Sequence, residues 1–159
     1  MEVWLLAIDK KYSSYEELKY RKVLAQGWSK IGDLSPLLPI KDSSKFKDII
    51  NKYVDYIYED WNDSRNPGRI LYNLLDIKKG DYVICCEGEK VKGIAYIEKE
   101  LKYYFDNANL YEYCQTVFPV TNWKDVKDQS HKISLKSRGP VGIQKYGGNK
   151  DYIVNLFNA

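Results

Sequence analysis

The chain is short of the residues that most often carry chemistry. Its 159 residues include one histidine, His131, and three cysteines, two of them adjacent at Cys85 and Cys86. One histidine and scattered cysteines do not assemble a zinc site of ordinary spacing. Three cysteines give no disulfide framework, so a reducing, cytoplasmic location is expected. There is no P-loop, no dinucleotide glycine fingerprint and no nucleophile elbow, and nothing in the residues asks for a cofactor. No run of eighteen apolar residues occurs, so no membrane span is expected. The acidic Glu2 and the amphipathic start that follows do not read as a signal peptide. Arginine is also scarce, at four against 21 lysines, so part of the positive charge serves solubility.

What is present is apolar and aromatic. The chain is 44% hydrophobic and 14% aromatic, with fifteen tyrosines, four tryptophans and four phenylalanines. That composition excludes a disordered tail and supports one domain over residues 1–159 with a real core. The net charge of +3 is unevenly spread: residues 121–150 hold seven Lys or Arg against two Asp, while the rest is near neutral. A neutral body with a basic segment suits a polyanionic partner.

Hydrophobic patterning predicts a mixed α+β order. Glu2–Asp9 reads as a buried strand. Ser14 and Glu17 have capping-box spacing, which predicts a helix running to about Ala25 and stopping near Gly27. Residues 28–34 alternate loosely, with Trp28 at a strand start. Phe46, Ile49, Ile50, Tyr53, Val54, Ile57 and Trp61 recur at helical spacing over 44–61. Asn66-Pro67 opens a second helix with Ile70, Leu71, Leu74 and Leu75 inward. The period then shortens: Asp81–Glu87, Val91–Glu98, Tyr103–Asp106 and Glu112–Trp123 are strand-like, with a hairpin turn at Gly88-Glu89. Cys85 and Cys86 face opposite ways on such a strand, one in the core and one partly covered. Residues 124–138 lack periodicity and read as a basic loop. Residues 139–159 hold a strand near Val141–Lys145 and a helix from about Asn149.

Trp28 stands out because Gly27 precedes it and Ser29 follows. A flat ring beside a hydroxyl and a free amide can stack on a base and bond its edge; an ordinary core tryptophan accounts for the same residues.

Four stretches, in order and at compatible spacing over residues 1–125, carry a resemblance: Ala25-Gln26-Gly27-Trp28-Ser29 with Ile31-Gly32-Asp33-Leu34; Lys78-Lys79-Gly80-Asp81-Tyr82-Val83-Ile84; Val91-Lys92-Gly93-Ile94-Ala95-Tyr96-Ile97; and Phe118-Pro119-Val120-Thr121-Asn122-Trp123. Together they resemble the EVE and YTH domains of the PUA-like superfamily, most closely the EVE-like N-terminal domains of McrB-type restriction proteins. The resemblance implies a PUA-like twisted β-barrel of about five to six strands flanked by helices. It implies a pocket for a modified, methylated base flipped out of a strand, in DNA ahead of RNA. Trp28 would be the cage tryptophan and Ser29 the base-contacting serine. Tyr103, Tyr104 or Phe105 would supply the second wall. Asp9 and Ser13 lie where YTH domains place polar contacts, and Asn122, next to Trp123, near where they place an aspartate. Lys124, Lys127, Lys132, Lys136 and Arg138 in the basic loop would hold phosphates without reading sequence. An AAA+ GTPase motor and a nuclease subunit, on other chains or in a longer protein, are the partners such a domain implies.

Two other classes compete. A small ASCH-type PUA-like hydrolase acting on modified nucleosides needs a lysine converging with a carboxylate or threonine, here Lys30, Glu98 and Thr121. A protein-interaction module would use the aromatic surface and leave the basicity incidental.

Overall fold

The computed structural model describes residues 1–58, 66–108, 113–127, 133, 135 and 139–159. Trp61, His131, Lys132, Lys136 and Arg138 lie outside the described residues.

Two adjacent runs of apolar residues make the centre. Strand β1 (Val3–Ile8) pairs in parallel with β3 (Tyr82–Glu87) from Val3–Tyr82 to Ile8–Glu87. Both are apolar on both faces because both faces are covered. Trp4, Leu6, Val83 and Cys85 join the larger core, and Val3, Leu5, Ile84 and Cys86 the smaller one. The two thiols do face opposite ways, but both are fully buried, because helices or loops cover each side of the sheet.

Strand β4 (Lys90–Tyr96) returns from β3 through the Gly88-Glu89 turn, with a bulge at Cys85/Cys86. Strands β7 (Asn122–Asp125) and β8 (Ile143–Lys145) complete a five-stranded sheet of order β7-β4-β3-β1-β8. A second sheet of three strands has β6 (Gln115–Phe118) between β2 (Leu24–Gln26) and β5 (Lys102–Phe105). The described residues thus form an α+β fold with four α-helices and eight strands in two sheets, without a closed barrel.

The helices are α1 (Tyr15–Arg21), α2 (Ser43–Ile57), α3 (Pro67–Asp76) and α4 (Lys150–Asn158). Ser14 caps α1 by accepting from the Glu17 amide, and Asn66 caps α3 from the Arg69 amide with Pro67 in the first turn. Phe46, Ile50 and Val54 of α2 and Ile70, Leu71 and Leu74 of α3 face the larger core, as their spacing predicts.

Two boundaries differ from expectation. Helix α1 stops at Arg21, where Lys22 turns left-handed, rather than near Ala25. Val23, Leu24 and Ala25 are buried, and Leu24–Gln26 pair with Val117–Gln115, so ladder formation overrides the helical pattern. The run up to Trp123 is not one strand: it breaks at Pro119, and its two halves join different sheets. Proline has no N–H for a ladder, which suits the crossover. Within 124–138, the first two residues belong to β7.

Candidate functional site

A cavity of about 750 Å³ opens where β1 and β3 end, the β3–β4 turn begins and the chain enters β8. Ala7, Ile8 and Asp9 form its floor, with the Ala7 amide donating to the Gly142 carbonyl at 2.7 Å. Its aromatic lining is Trp28, Tyr12, Tyr58 and Tyr113; Lys10, Lys11 and Glu87 add charge. Pro140, Val141 and Gly142 complete the lining. Gly142, at φ +63, is glycine for a reason: a Cβ there would meet the Ile70 side chain at 2.5 Å.

Trp28 is 6% exposed and belongs to the larger core, as an ordinary core tryptophan would, and it also lines this cavity, in an unusual backbone state. Its φ of 68° and ψ of 55° are left-handed, a genuine outlier for a bulky side chain, at a cost of about 1–3 kcal/mol. It begins no strand: Ser29–Ile31 form a single 3-10 turn. The fully buried Gln115 holds this turn, its Nε2 donating to the Gly32 carbonyl at 2.9 Å and the Trp28 carbonyl at 3.4 Å. The Tyr103 hydroxyl in turn donates to Gln115 Oε1 at 2.5 Å and accepts from the Leu34 amide at 2.9 Å. Burial pushes the Tyr103 phenol up, which keeps it protonated as that donor. Tyr58, at the end of α2, accepts from the Lys30 amide at 3.1 Å and underlies the Lys30 ammonium at 5.2 Å.

The expected pocket residues therefore separate. Trp28 and Asp9 are brought together. Asp9 is exposed; its Oδ1 accepts from the Lys11 amide, and its own amide donates to the Tyr113 hydroxyl at 2.6 Å. Ser29 follows Trp28 but does not line the cavity, and Ser13 sits behind the Asp9 turn. Tyr103 lines a different cavity of about 550 Å³ and reaches Trp28 only through Gln115. Tyr104 packs its ring edge-on to Phe118 and bonds Asp106. Phe105 pairs with Gln115 on the edge strand β5. Asn122 donates to Glu98 at 2.8 Å, and Trp123 packs edge-on to Tyr15. These last four do not reach the cavity, because β5 and the start of β7 lie elsewhere in the two sheets.

Of the basic residues, Lys127 is exposed beyond β7, whereas Lys124 is half-buried with its ammonium on the Ala159 carbonyl. Two residues at or beside the ends of the 124–138 stretch stand near the β3–β4 turn, whereas Lys145 and Lys150 pair with Glu2 at the other end of the sheet. Asp125 pairs with Gly93 near the β3–β4 turn, and Gly139 lies so close to the Gly88 carbonyl that a Cβ would stand 2.2 Å from it.

The hydrolase set does not converge. Thr121 donates to Glu98 at 3.3 Å at the far end of the sheet, while Lys30 lies over the Tyr58 ring and does not line the cavity. Burial pushes the Cys85 thiol well up and the Cys86 thiol up to about 12, which suits core residues rather than nucleophiles. Among the described residues no group of three His, Cys, Asp or Glu is placed to hold a metal, and no helix is long and apolar enough to cross a membrane.

The sequence assigns no role of their own to Gln26, Tyr12, Tyr58, Tyr113, Lys10 and Lys11, although Gln26 stands in the stretch that carries the resemblance. The signal for Lys10-Lys11-Tyr12 was in view, since they directly follow a buried strand. Tyr58 and Tyr113 are two tyrosines among fifteen and carried no distinguishing pattern. Comparison with protein-family models, with curated proteins and with solved structures finds no match to this chain.

Proposed function

We propose that this chain is a nucleic-acid-binding module that takes a modified base, flipped out of a DNA strand, into the Trp28 cavity. The observation that carries the reading is Trp28 itself: a tryptophan kept in a costly left-handed conformation at the wall of an aromatic-lined cavity. Strain of this kind persists where surrounding structure over-determines it, and it clusters at ligand clamps. Stacking on an aromatic wall returns about 1–3 kcal/mol, comparable with the few kcal/mol that unstacking a base costs. A buried methyl adds only about 0.8 kcal/mol, so the methyl alone gives a modest preference. Lys10 and Lys11 at the cavity supply charge for the flanking phosphates.

The reading carries with it the PUA-like relationship suggested by the sequence, here with the strands in two sheets. It also carries a role as the targeting domain of a modification-dependent restriction system, with motor and nuclease on other chains or in a longer protein.

Fluorescence-anisotropy binding tests it. Single- and double-stranded oligonucleotides carrying N6-methyladenine, 5-methylcytosine, 5-hydroxymethylcytosine or no modification are titrated at two salt concentrations. Preference for one modified base, lost in Trp28→Ala, is the expected result. Salt-dependent binding without preference would leave a generic nucleic-acid module, and no binding at low salt would sink the proposal.

A further inference from the structure

We propose that the outer edge of β5 is a self-pairing surface, on which a second copy of this chain adds its own β5, antiparallel, across a two-fold axis at Tyr104. No residue of β5 lines the Trp28 cavity, and the proposal stands whether or not a base binds there.

The two open sheets have four edges, and three of them are closed or blunted. Strand β2 is buried along its whole length. At β8 the Ile143 carbonyl accepts from the Asn73 side chain at 2.8 Å. Strand β7 carries Lys124 and Asp125 within its four residues, and such charges discourage pairing. Strand β5 differs. It runs Lys102-Tyr103-Tyr104-Phe105, half-buried after its first residue, in unbroken register with β6 and without proline. A flat, aromatic edge of this kind is a template for another strand.

The register fixes which backbone groups face outward. The Asp106 amide donates at 2.8 Å to the Cys114 carbonyl, directly opposite in the continued ladder, so these two form a hydrogen-bonded pair. Such pairs alternate along antiparallel strands, so Tyr104 and Lys102 also turn their N–H and C=O groups to β6. Those of Tyr103 and Phe105 point away from it, and among the described residues nothing is bonded to them.

The edge is complementary to itself. With the axis at Tyr104, Tyr103 of each copy stands opposite Phe105 of the other, and each such pair exchanges two main-chain hydrogen bonds. The closely spaced pairs between them are Tyr104 on Tyr104 and Lys102 on Asp106. Aromatic and opposite-charge pairs are the favourable cross-strand combinations. An axis at Tyr103 would set Asp106 against Glu100, and one at Phe105 would set it against Tyr104. Asp106 has room for the lysine. Arg21 and Tyr104 bond its Oδ2 and the Ala108 amide its Oδ1, and a carboxylate offers about four acceptor sites. This self-complementarity of charge favours a second copy over a strand of another protein.

Sedimentation velocity of the unaltered chain, free of nucleic acid, tests the proposal. Between about 10 µM and about 1 mM the mass should rise from one chain toward two, as suits a contact smaller than a standard interface. Lys102 is exposed, so Lys102→Asp keeps the fold while setting like charges opposite each other twice. It should weaken the dimer about tenfold or more. Amide hydrogen exchange then locates the contact. The Tyr103 and Phe105 amides should exchange fast at low concentration and about tenfold more slowly at high, while the Tyr104 amide, already bonded to β6, is slow at both. A chain that stays monomeric at about 1 mM overturns the proposal and leaves the edge to another protein's strand or to water. A dimer undisturbed by Lys102→Asp overturns it too, as does one that leaves the Tyr103 and Phe105 amides unprotected, since either would form through another surface or register.

Discussion

The two ends of the five-stranded sheet use polar residues in opposite ways. At the end where β1 and β3 begin, polar side chains finish on protein. Asp81 collects three donors, Glu2 pairs with Lys145 and Lys150, and Glu98 accepts from Thr121 and Asn122. Rings close the same end, with Tyr82, Tyr96 and Phe157 in mutual contact. At the end where β1 and β3 finish, the chain leaves a cavity, a left-handed tryptophan and exposed Asp9, Lys10 and Lys11. One end of the sheet is thus closed by polar pairs and packed rings, and the other is left open to a ligand-sized space.

The strongest way to break that contrast is at Asp81. Asp81→Ala leaves three donors without their acceptor in a buried place, and each such loss costs about 1–3 kcal/mol. Urea unfolding should show a loss of about 3 kcal/mol or more. Oligonucleotide binding measured in the cold, where the variant is folded, should be unchanged. A loss of binding by folded protein would show that the two ends are not separable.

The two tryptophans sharpen the comparison next. Trp4 sits in a relaxed strand with its indole N–H on Asp81 at 3.0 Å, whereas Trp28 holds φ at 68°. Both are buried, at 1% and 6% exposure, so removing either ring opens a cavity costing about 3–5 kcal/mol. Glycine adopts a positive φ freely, which returns about 1–3 kcal/mol at position 28. In a strand, glycine costs a further increment instead. Thermal unfolding should therefore rank Trp28→Gly as clearly the milder of the two, about 2 kcal/mol against about 5 for Trp4→Gly. Equal losses would mean that the left-handed conformation carries no strain.

A smaller effect separates charge from shape at the open end. Lys10 and Lys11 are exposed, so replacing both by alanine should move stability by less than about 0.5 kcal/mol. Affinity for modified and plain oligonucleotides should fall together, and the slope of log K against log salt should shrink by about one to two. A change in the ratio between modified and plain oligonucleotides would show instead that these lysines touch the base.

Much of this architecture is readable from local pattern. Ser14 with Glu17 and Asn66 with Pro67 announce helix starts whose caps form within four residues of sequence. The turn at Gly88 needs only its neighbours. What escaped was settled by distant partners. Val23–Gln26 continues a helical pattern, and only β6 turns its last three residues into a strand. The run to Trp123 gives no hint that its halves belong to different sheets. At the site, Trp28 and Asp9 were legible because each adjoins a glycine or a strand end. Tyr58 and Tyr113 were not, since only the packing of α2 and the loop before β6 brings them to the cavity. The partition of Asn122 and Trp123 away from the cavity follows from sheet order, which no local pattern encodes.

Acid should act on both ends alike, and more weakly than the Asp81 and tryptophan substitutions. The Lys19 hydrogen bond, reinforced by the Tyr15 hydroxyl, holds the Asp125 carboxyl below its ordinary value of 3.8. At the closed end, the hydrogen bond from Lys150 does the same for Glu2, against an ordinary 4.5. A carboxyl whose folded pKa is lowered contributes stability that is complete above its unfolded pKa and fades as pH falls through the folded one. Stability from these two pairs should thus be constant near neutrality and decline below about pH 4. Asp125 and Lys19 are 37% and 35% exposed, so solvent screens their pair and its share stays below about 1 kcal/mol. Asp125→Asn keeps an oxygen for Tyr15 but removes the titrating charge. Its stability deficit, measured by urea unfolding, should be present at pH 7 and close as the buffer is taken to pH 3. A deficit that stays constant across that range would assign the role of Asp125 to the shape of its contacts with Tyr15 and Lys19, with no contribution from its charge.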